Sequence, residues 1–286
     1  MSSTIAEVLQ KGKKFLGRSA SSTPELDAEV LLSAAMALSR TELYVHFDRI
    51  VKVLEIEKYG AMLEKRMEGF PVSYLTGRRE FMSLVFQLDA TCLIPRAETE
   101  LLVEKVMAWL EKQDIPSPRV LEFGTGSGCI ACALARFLPP VTITATDISG
   151  GALAMAEKNA VSLGVAPRIR FTRGDLYDAI GSDEPFDVIV SNPPYVTHQE
   201  FTELPRSVRE FEPVMALRAD EGGLSISRRI IEGSALWLKS RGLMALEINP
   251  ALGRDLVELL AGNGFHRCEV HDDLAGFPRV ITAEKR

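Results

Sequence analysis

The chain has 286 residues, of which 46% are hydrophobic and 25% are charged. This length and composition exclude a largely disordered chain and suggest two domains, or one large domain with an appendage. The formal net charge is −6, from 33 basic and 39 acidic side chains, which disfavours a protein held on DNA mainly through its phosphates. The mean hydropathy is +0.06. No apolar run approaches the roughly 18 residues of a membrane helix, so no membrane span is expected.

The amino-terminal residues MSSTIAEVLQKGKKF contain no uninterrupted apolar segment behind a basic start. We therefore expect no signal peptide and a cytoplasmic protein. Four cysteines, at positions 92, 129, 132 and 268, are too few and too scattered for a disulfide framework in a chain of this length. Cys129 and Cys132 lack a second cysteine pair, and the four histidines show no ligand spacing. Reduced thiols and no bound metal are therefore expected.

The first part of the chain has a helical pattern. Apolar residues recur at spacings of three and four up to about residue 70, as in Ile56, Tyr59 and Leu63. Thr23 and Pro24 are typical of an N-cap and a first helical position. We expect a small bundle of about four helices. Residues 1–78 carry 11 basic and 10 acidic side chains, so the net acidity belongs to the rest of the chain.

A change of period follows this helical part. Between residues 80 and 95, Leu84, Phe86 and Leu88 alternate with Val85 and Gln87, which indicates extended strands and a hairpin. The predicted organisation is a helical domain over residues 1–78, a β-hairpin linker over 79–95 and a second domain over 96–286.

In the last part, short apolar β-branched runs alternate with helical segments, which is typical of a parallel sheet covered by helices on both faces. The predicted strands cover residues 120–123, 142–146, 169–172, 188–191, 243–248, 268–271 and 280–283. The connection between the last two is too short for a crossover helix, so these strands should be antiparallel. The predicted fold class is therefore α/β, with the mostly parallel sheet and antiparallel hairpin of Rossmann-like methyltransferases.

A glycine-rich loop ends the first of these strands, at Glu122-Phe123-Gly124-Thr125-Gly126-Ser127-Gly128. Glycines let the backbone turn sharply and approach a ligand, and the N–H groups of the following helix can face a polar group. A dinucleotide fingerprint requires its third glycine at position 129, which is Cys129, so the loop favours a small nucleoside. The alternative is that these residues form a tight strand-to-helix turn that binds no ligand. The candidate cofactor-binding residues here are Phe123, Gly124, Thr125, Gly126, Ser127 and Gly128.

Acidic residues follow the next two strands. Asp147, followed by Ile148, ends the second strand, where a carboxylate can accept both hydroxyls of a ribose. Asp175 follows the third strand and could bond an adenine amino group, with Leu176 packed on the ring. The alternatives are a helix N-cap for Asp147 and a solvated turn residue for Asp175.

The fourth strand is followed by Asn192-Pro193-Pro194-Tyr195. A carboxamide or exocyclic amine nitrogen is a poor nucleophile because its lone pair is delocalised, and two acceptors aimed at its N–H groups would orient it. The side-chain oxygen of Asn192 and the carbonyl of Pro193 are such acceptors, and Pro194 restricts the backbone between Pro193 and Tyr195. Tyr195 can stack on a flat substrate group. These four residues are the candidate catalytic group, and Asn192 is also a candidate cofactor-binding residue.

With these motifs, the sequence resembles the protein-(glutamine-N5) methyltransferases that modify peptide chain release factors. The resemblance covers nearly the whole chain and includes residues 27–28, 69–77, 93–100, 124–128, 145–149, 192–195 and 211–213. It departs from the family pattern at Ala97, Ser83 and Asn249-Pro250.

The resemblance implies a class I methyltransferase domain that binds S-adenosyl-L-methionine, preceded by a helical domain that helps hold the substrate. The implied reaction is methylation of the side-chain amide nitrogen of the glutamine in a release factor's Gly-Gly-Gln motif. The resemblance also implies that Arg96, Glu98 and Glu100 lie next to the site. A monomer without a direct nucleic-acid substrate is expected. Residues 196–222 lack clear periodicity and are predicted to form a substrate-gating loop.

Three alternatives remain open from the sequence. The substrate could be a glutamine of a ribosomal protein, or an adenine amino group of a nucleic acid, although no basic region or base-flipping domain is visible. The chain could also be a translation-associated binding module without catalytic activity.

Overall fold

The computed structural model describes residues 3–181 and 185–286. Contacts between Cα atoms divide the chain into two compact units. The helical unit comprises Met1–Arg78 with Pro205–Phe211, and the sheet unit comprises Arg79–Leu204 with Glu212–Arg286. Within the described ranges, no helix is both long enough and apolar enough to cross a lipid bilayer.

The described part of the chain before Arg78 forms helices, and both strands and helices follow. The helices are α1 (Ile5–Leu16), α2 (Pro24–Met36), α3 (Arg40–Val45), α4 (Val53–Met67), α5 (Val72–Thr76), α6 (Thr99–Gln113), α7 (Cys129–Phe137), α8 (Gly150–Ser162), α9 (His198–Glu203), α10 (Arg206–Arg209), α11 (Ser225–Gly233) and α12 (Gly253–Gly262). The strands are β1 (Arg78–Phe81), β2 (Leu84–Gln87), β3 (Arg119–Phe123), β4 (Thr142–Asp147), β5 (Ile169–Arg173), β6 (Phe186–Ser191), β7 (Leu238–Glu247), β8 (Phe265–Asp272) and β9 (Pro278–Lys285). Short 3₁₀ turns lie at Ala166–Arg168, Leu176–Ala179, Val214–Ala216, Glu221–Gly223, Ser234–Leu236 and Pro250–Leu252.

The helical unit contains helices α1 to α5 and the short α10. In α1, Ile5, Leu9 and Leu16 recur on one face and are buried, because spacings of three and four place side chains on the same side of a helix. Thr4 and Glu7 form a capping box at its start. The predicted bundle is confirmed, and Pro205–Phe211 belong to it through the ring of Phe211, whose centroid lies 4.4 Å from that of Phe70. The sequence analysis did not predict this addition.

Strands β1 and β2 form a two-stranded sheet whose turn is Met82-Ser83. Both residues have positive φ angles, 50° and 59°, as a two-residue turn of type I′ requires. Ser83 therefore occupies a left-handed position that glycine adopts without strain. The predicted hairpin is confirmed, but its second strand ends at Gln87, and residues 88–98 are neither helix nor strand.

Seven strands form the large sheet, in the order β5-β4-β3-β6-β7-β9-β8. The pairs among β3 to β7 are parallel, and β9 is antiparallel to both β7 and β8. In β3, Val120 and Leu121 belong to two different buried clusters, which also contain residues of α6 and α7 and of α11 and α12 respectively. Alternation along a strand thus fills a core on each face of the sheet. The predicted α/β methyltransferase sheet with an antiparallel end is confirmed.

Residues 196–222, the predicted substrate-gating loop, contain α9, α10, the 3₁₀ turn at Val214–Ala216 and the start of the turn at Glu221–Gly223. Thr197 caps α9 in a capping box with Glu200. Glu200 also accepts a hydrogen bond from the side-chain amide of Asn249 at 2.9 Å, and Asn249 caps the turn at Pro250–Leu252. Asn249, one of the departures from the family pattern, thus links α9 to the turn before α12. A gating function stays a prediction.

Candidate active site

Strand register brings the predicted site residues to one edge of the large sheet. Phe123, the last residue of β3, pairs with Thr146 of β4 on one side and with Ser191 of β6 on the other. Ser191 pairs in turn with Leu246 of β7. Since these strands are parallel, the glycine loop, Asp147, the Asn192 segment and the end of β7 follow at the same carboxyl edge, where such sheets bind ligands.

The glycine loop turns through three left-handed positions, with φ angles of 68° at Gly124, 56° at Gly126 and 80° at Gly128. A Cβ at Gly128 would lie 3.0 Å from the Cβ of Ala156 in α8, so this glycine allows α7 and α8 to pack closely. A Cβ at Gly124 would meet no atom within 4 Å. The loop therefore has open space beside Gly124, into which a ligand can come close to the backbone.

Asp147 ties the glycine loop to β4. Its Oδ2 accepts a hydrogen bond from the backbone N–H of Gly126 at 2.9 Å, and its Oδ1 accepts one from Ser149 at 2.9 Å. The N-cap of α8 is Ser149, whose hydroxyl accepts from Ala152, so Asp147 does not have the capping role that was its alternative. Burial raises the pKa of Asp147 and outweighs the opposing effect of its backbone donors.

Glu122 is a second carboxyl group at the glycine loop, and the predicted site did not include it. It is fully buried, and its Oε2 accepts a hydrogen bond from the hydroxyl of Thr125 at 2.8 Å. Burial, together with the nearby Asp147, raises the pKa of Glu122 to about 8. A carboxylate inside the apolar run of β3 is the sequence signal that could have identified it.

The two residues predicted for adenine lie after β5. Asp175 is 45% exposed in its side chain and accepts a hydrogen bond from Arg229 at 2.9 Å. Leu176 is partly buried against the apolar cluster that contains Leu121 and has a left-handed φ of 50°. Ile148, after β4, is 47% exposed. Asp175 and Ile148 therefore remain accessible to a ligand, although Asp175 already has a charged partner.

Asn192 and Tyr195 are held by a network of buried polar side chains. The Nδ2 of Asn192 donates a hydrogen bond to Oγ1 of Thr99 at 3.2 Å, and the Thr99 hydroxyl donates to Oε2 of Glu247 at 2.6 Å. The hydroxyl of Tyr195 donates to Oε1 of the same carboxylate at 3.0 Å. Pro193, between Asn192 and Tyr195 in the chain, is buried.

Thr99 and Glu247 contact the candidate residues Asn192 and Tyr195, and the predicted site did not include them. They are 2% and 1% exposed, and they come from the start of α6 and the end of β7. Burial raises the pKa of Glu247, while hydrogen bonds from Thr99 and Tyr195 and the charge of Arg279 oppose this effect. A charged residue at the end of the apolar run of β7 was the available signal.

Arg96 and Glu100, predicted as neighbours of the site, have structural partners. Glu212 accepts hydrogen bonds from the backbone N–H of Ile94 at 3.1 Å and from Arg96 at 2.6 Å. The side chain of Glu212 is only 1% exposed, so it anchors the segment before α6. Glu100 accepts from the backbone N–H of Met82 at 2.7 Å and holds the hairpin turn.

The glycine loop has features suited to a nucleoside ligand. It has open space beside Gly124, and its Gly126 N–H is held by the carboxylate of Asp147. In the described part of the chain, no cluster of three or more His, Cys, Asp and Glu side chains has the arrangement of a metal site. Cys129 and Cys132 are buried on α7, and burial raises the pKa of both thiols, as expected of packing residues.

Comparison with known proteins identifies two family models along the chain. Residues 7–77 match the PrmC N-terminal domain and residues 97–208 match the methyltransferase small domain. The release factor glutamine methyltransferase of Rhodopirellula baltica is 38% identical over 286 residues, covering 99% of this chain and 96% of that protein. The protein of the same name from Chlorobaculum tepidum is 37% identical, covering 98% of this chain and 96% of its own.

Solved structures share the fold at lower identity. The catalytic domain of hMettl16, in complex with the MAT2A 3′UTR hairpin 6, has a TM-score of 0.56 and 18% identity, and the match covers 82% of this chain and 84% of that one. The Thermus thermophilus 16S rRNA N2 G1207 methyltransferase, in complex with AdoMet and guanosine, has a TM-score of 0.52 and 19% identity, covering 73% and 50%. The similarity to the full-length relatives is decisive: this chain belongs to the release factor glutamine methyltransferase family.

Proposed function

We propose that the chain transfers a methyl group from S-adenosylmethionine to the side-chain amide nitrogen of a glutamine in a peptide chain release factor. The observation that carries this proposal is the position of Asn192, whose side chain is fixed by Thr99 at the carboxyl edge of the sheet, next to the glycine loop. The relatives that match over nearly the whole chain carry the corresponding name.

At the substrate end, Asn192, Pro193, Pro194 and Tyr195 orient the glutamine amide. The side-chain oxygen of Asn192 and the carbonyl of Pro193 accept its two N–H groups, while Tyr195 packs on its flat face. This holds the nitrogen in line with the methyl carbon at a near-attack distance of about 3 Å. The nitrogen–carbon bond forms as the carbon–sulfur bond breaks, the bonding pair stays with sulfur, and one proton leaves the nitrogen to water.

At the cofactor end, Phe123 and the loop from Gly124 to Gly128 hold the methionine part, and Asp147 accepts the ribose hydroxyls. Ile148, Asp175 and Leu176 contact the adenine. When bound, S-adenosylmethionine supplies a methyl group already activated by the positive sulfonium. The carboxylate of Asp147 suits that charge, and the open space beside Gly124 lets the ligand approach the backbone.

The domain roles follow the same proposal. The helical unit, residues 1–78, helps to hold the protein substrate, the hairpin region of residues 79–95 connects it, and residues 96–286 perform the transfer. The protein acts as a cytoplasmic monomer, and its net charge of −6 supports a protein rather than a nucleic acid as substrate.

The test is incubation of the purified protein with labelled S-adenosylmethionine and, separately, with release factors, a ribosomal protein and DNA. Mass spectrometry then maps the label. We expect a methyl group on one glutamine side chain of a release factor, and about a 100-fold lower rate in Asn192→Ala with unchanged cofactor affinity. Asn263→Ala, at the end of α12, is the matched control. Label on adenine or on the ribosomal protein alone, or full turnover by Asn192→Ala, would contradict the proposal.

A further inference from the structure

We propose that Thr99 and Glu247 are positioning residues that set which end of the Asn192 carboxamide faces the substrate. The two ends of a carboxamide have similar shapes but opposite hydrogen-bonding character: the oxygen accepts and the NH₂ group donates. Only the oxygen can accept the N–H of a glutamine amide. The inference rests on the proposed function and deepens it, because it explains how the acceptor is kept in the productive orientation.

The three side chains form a continuous chain of hydrogen bonds. Asn192 donates through Nδ2 to Thr99 at 3.2 Å, and Thr99 donates to Glu247 at 2.6 Å. The chain crosses three elements, since Asn192 follows β6, Thr99 begins α6 and Glu247 ends β7. With Thr99 and Glu247 almost fully buried, water is kept from their hydrogen bonds.

The donor and acceptor roles in these two hydrogen bonds follow from the number of protons available. An ionised carboxylate has no proton to donate, so Glu247 must accept. The Thr99 hydroxyl has a single proton, which it donates to Glu247, so toward Asn192 it can only accept, through a lone pair. A donor is then the favourable partner at that position, so the NH₂ end of Asn192 turns toward Thr99. The Oδ1 atom occupies the other branch of the carboxamide and is left for the substrate.

Burial raises the pKa of Glu247, but hydrogen-bond donors and a nearby positive charge support the carboxylate as an acceptor. Tyr195 donates to its second oxygen at 3.0 Å, and the charge of Arg279, from β9, also stabilises the carboxylate. Burial and the charge of Glu98, which precedes α6, act in the opposite sense. Both oxygens of Glu247 therefore have donors, and the hydroxyl of Thr99 is committed to one of them.

The decisive variants are Thr99→Val, which removes the hydroxyl at nearly constant volume, and Thr99→Ser, which keeps it. With a release factor as substrate, we expect Thr99→Val to lower kcat about 10- to 100-fold, with the affinity for S-adenosylhomocysteine unchanged. Thr99→Ser should stay within about threefold of the wild type. Thr282→Val removes a buried hydroxyl that contacts His271 instead, and it should leave kcat unchanged.

Two further measurements distinguish a changed orientation of the Asn192 carboxamide from a nonspecific loss of structure. In an Asn192→Ala background, Thr99→Val should change the remaining rate less than about twofold, because both substitutions interrupt one pathway. In protein labelled with ¹⁵N at asparagine, one side-chain N–H of Asn192 should exchange slowly with solvent in the wild type and in Thr99→Ser, and rapidly in Thr99→Val. Loss of the corresponding signal in Asn192→Ala assigns the resonance.

Full kcat in Thr99→Val, or equal losses in Thr99→Ser and Thr99→Val, would overturn the inference, because the hydroxyl would then not orient Asn192. Equal exchange of the Asn192 N–H in wild type and Thr99→Val would also overturn it. The exchange measurement needs no substrate. Failure of the proposed function is recognised separately, since the wild-type protein would then place no label on glutamine.

Discussion

The backbone N–H of Gly126 donates to the carboxylate of Asp147 across 2.9 Å, so the acid at the end of β4 holds the glycine loop at the end of β3. The other oxygen of Asp147 accepts from Ser149 at 2.9 Å. Asp147 therefore does two things at once: it shapes the loop and it presents a carboxylate at the edge of the sheet. Each role can be tested by substitution.

Asp147→Asn should weaken the binding of S-adenosylmethionine about tenfold or more, as measured by calorimetry. An asparagine has one oxygen and one NH₂ group. Its NH₂ group would therefore face the backbone N–H of either Gly126 or Ser149, and two donors cannot form a hydrogen bond with each other. Ser149→Ala is the matched control, because it removes the cap of α8 and should lower stability by about 1 kcal/mol while leaving cofactor affinity unchanged. Equal affinities for wild type and Asp147→Asn would refute the assignment.

Gly128→Ala should mainly lower stability, whereas Gly124→Ala should mainly weaken cofactor binding. Both alanines are strained by a left-handed φ, at a cost of about 1–2 kcal/mol, but only the Cβ at position 128 meets Ala156 at 3.0 Å. Overpacking adds about 1–3 kcal/mol, so Gly128→Ala should lower the urea midpoint further. Gly124→Ala should chiefly weaken cofactor binding, because its Cβ enters the open space at the loop. The reverse order of the two effects would contradict this model of the loop.

Glu122 should make the sheet unit less stable as the pH rises. Its pKa is about 8 in the folded protein against an ordinary value of 4.5, so between these pH values the folded state keeps a proton that the unfolded chain has released. The free energy of unfolding should therefore fall from pH 5 to pH 8, and Glu122→Gln should reduce that slope. Both tryptophans, Trp109 and Trp237, lie in the sheet unit, so their fluorescence during urea unfolding reports on it. Parallel pH profiles for the two proteins would contradict the prediction.

Glu29 should stabilise the helical unit with the opposite pH dependence. Burial disfavours its charge, but hydrogen bonds from Lys13, Tyr44 and Arg40 outweigh burial and lower its pKa to about 2. The stabilisation is present above about pH 4.5 and is lost as the pH falls through about 2. Glu29→Gln should reduce the hydrogen-exchange protection of α1 and α2 at pH 7 by about 1–2 kcal/mol. Glu57→Gln, an exposed change on α4, should leave the protection unaltered.

Several features were predictable because they depend on local patterns. The strands of the large sheet were identified within a few residues at most ends, since buried parallel strands are short apolar runs bounded by turn residues. The glycine loop was predicted from three glycines whose left-handed φ angles few other residues adopt. The antiparallel end of the sheet followed from the short connection between β8 and β9.

Other features could not be read from local patterns. Residues 205–211 show no periodicity, and tertiary contacts such as the packing of Phe211 on Phe70 assign them to the helical unit. The second strand of the hairpin was predicted to continue to Pro95, because Leu88 extends the alternation of Leu84 and Phe86. The chain instead leaves the strand after Gln87, so the burial of Leu88 comes from tertiary packing.

The sequence by itself determined the α/β class, the carboxyl-edge motifs and the family, because strand periodicity, glycine conformation and motif spacing are properties of short segments. Only the tertiary structure decided how Asn192 is held. Thr99 and Glu247 are separated by 148 residues, and the contact between Ile94 and Glu212 spans 118. The hydrogen bond of a buried carboxylate depends on which side chain folding brings to it, and no local pattern specifies a partner at that distance.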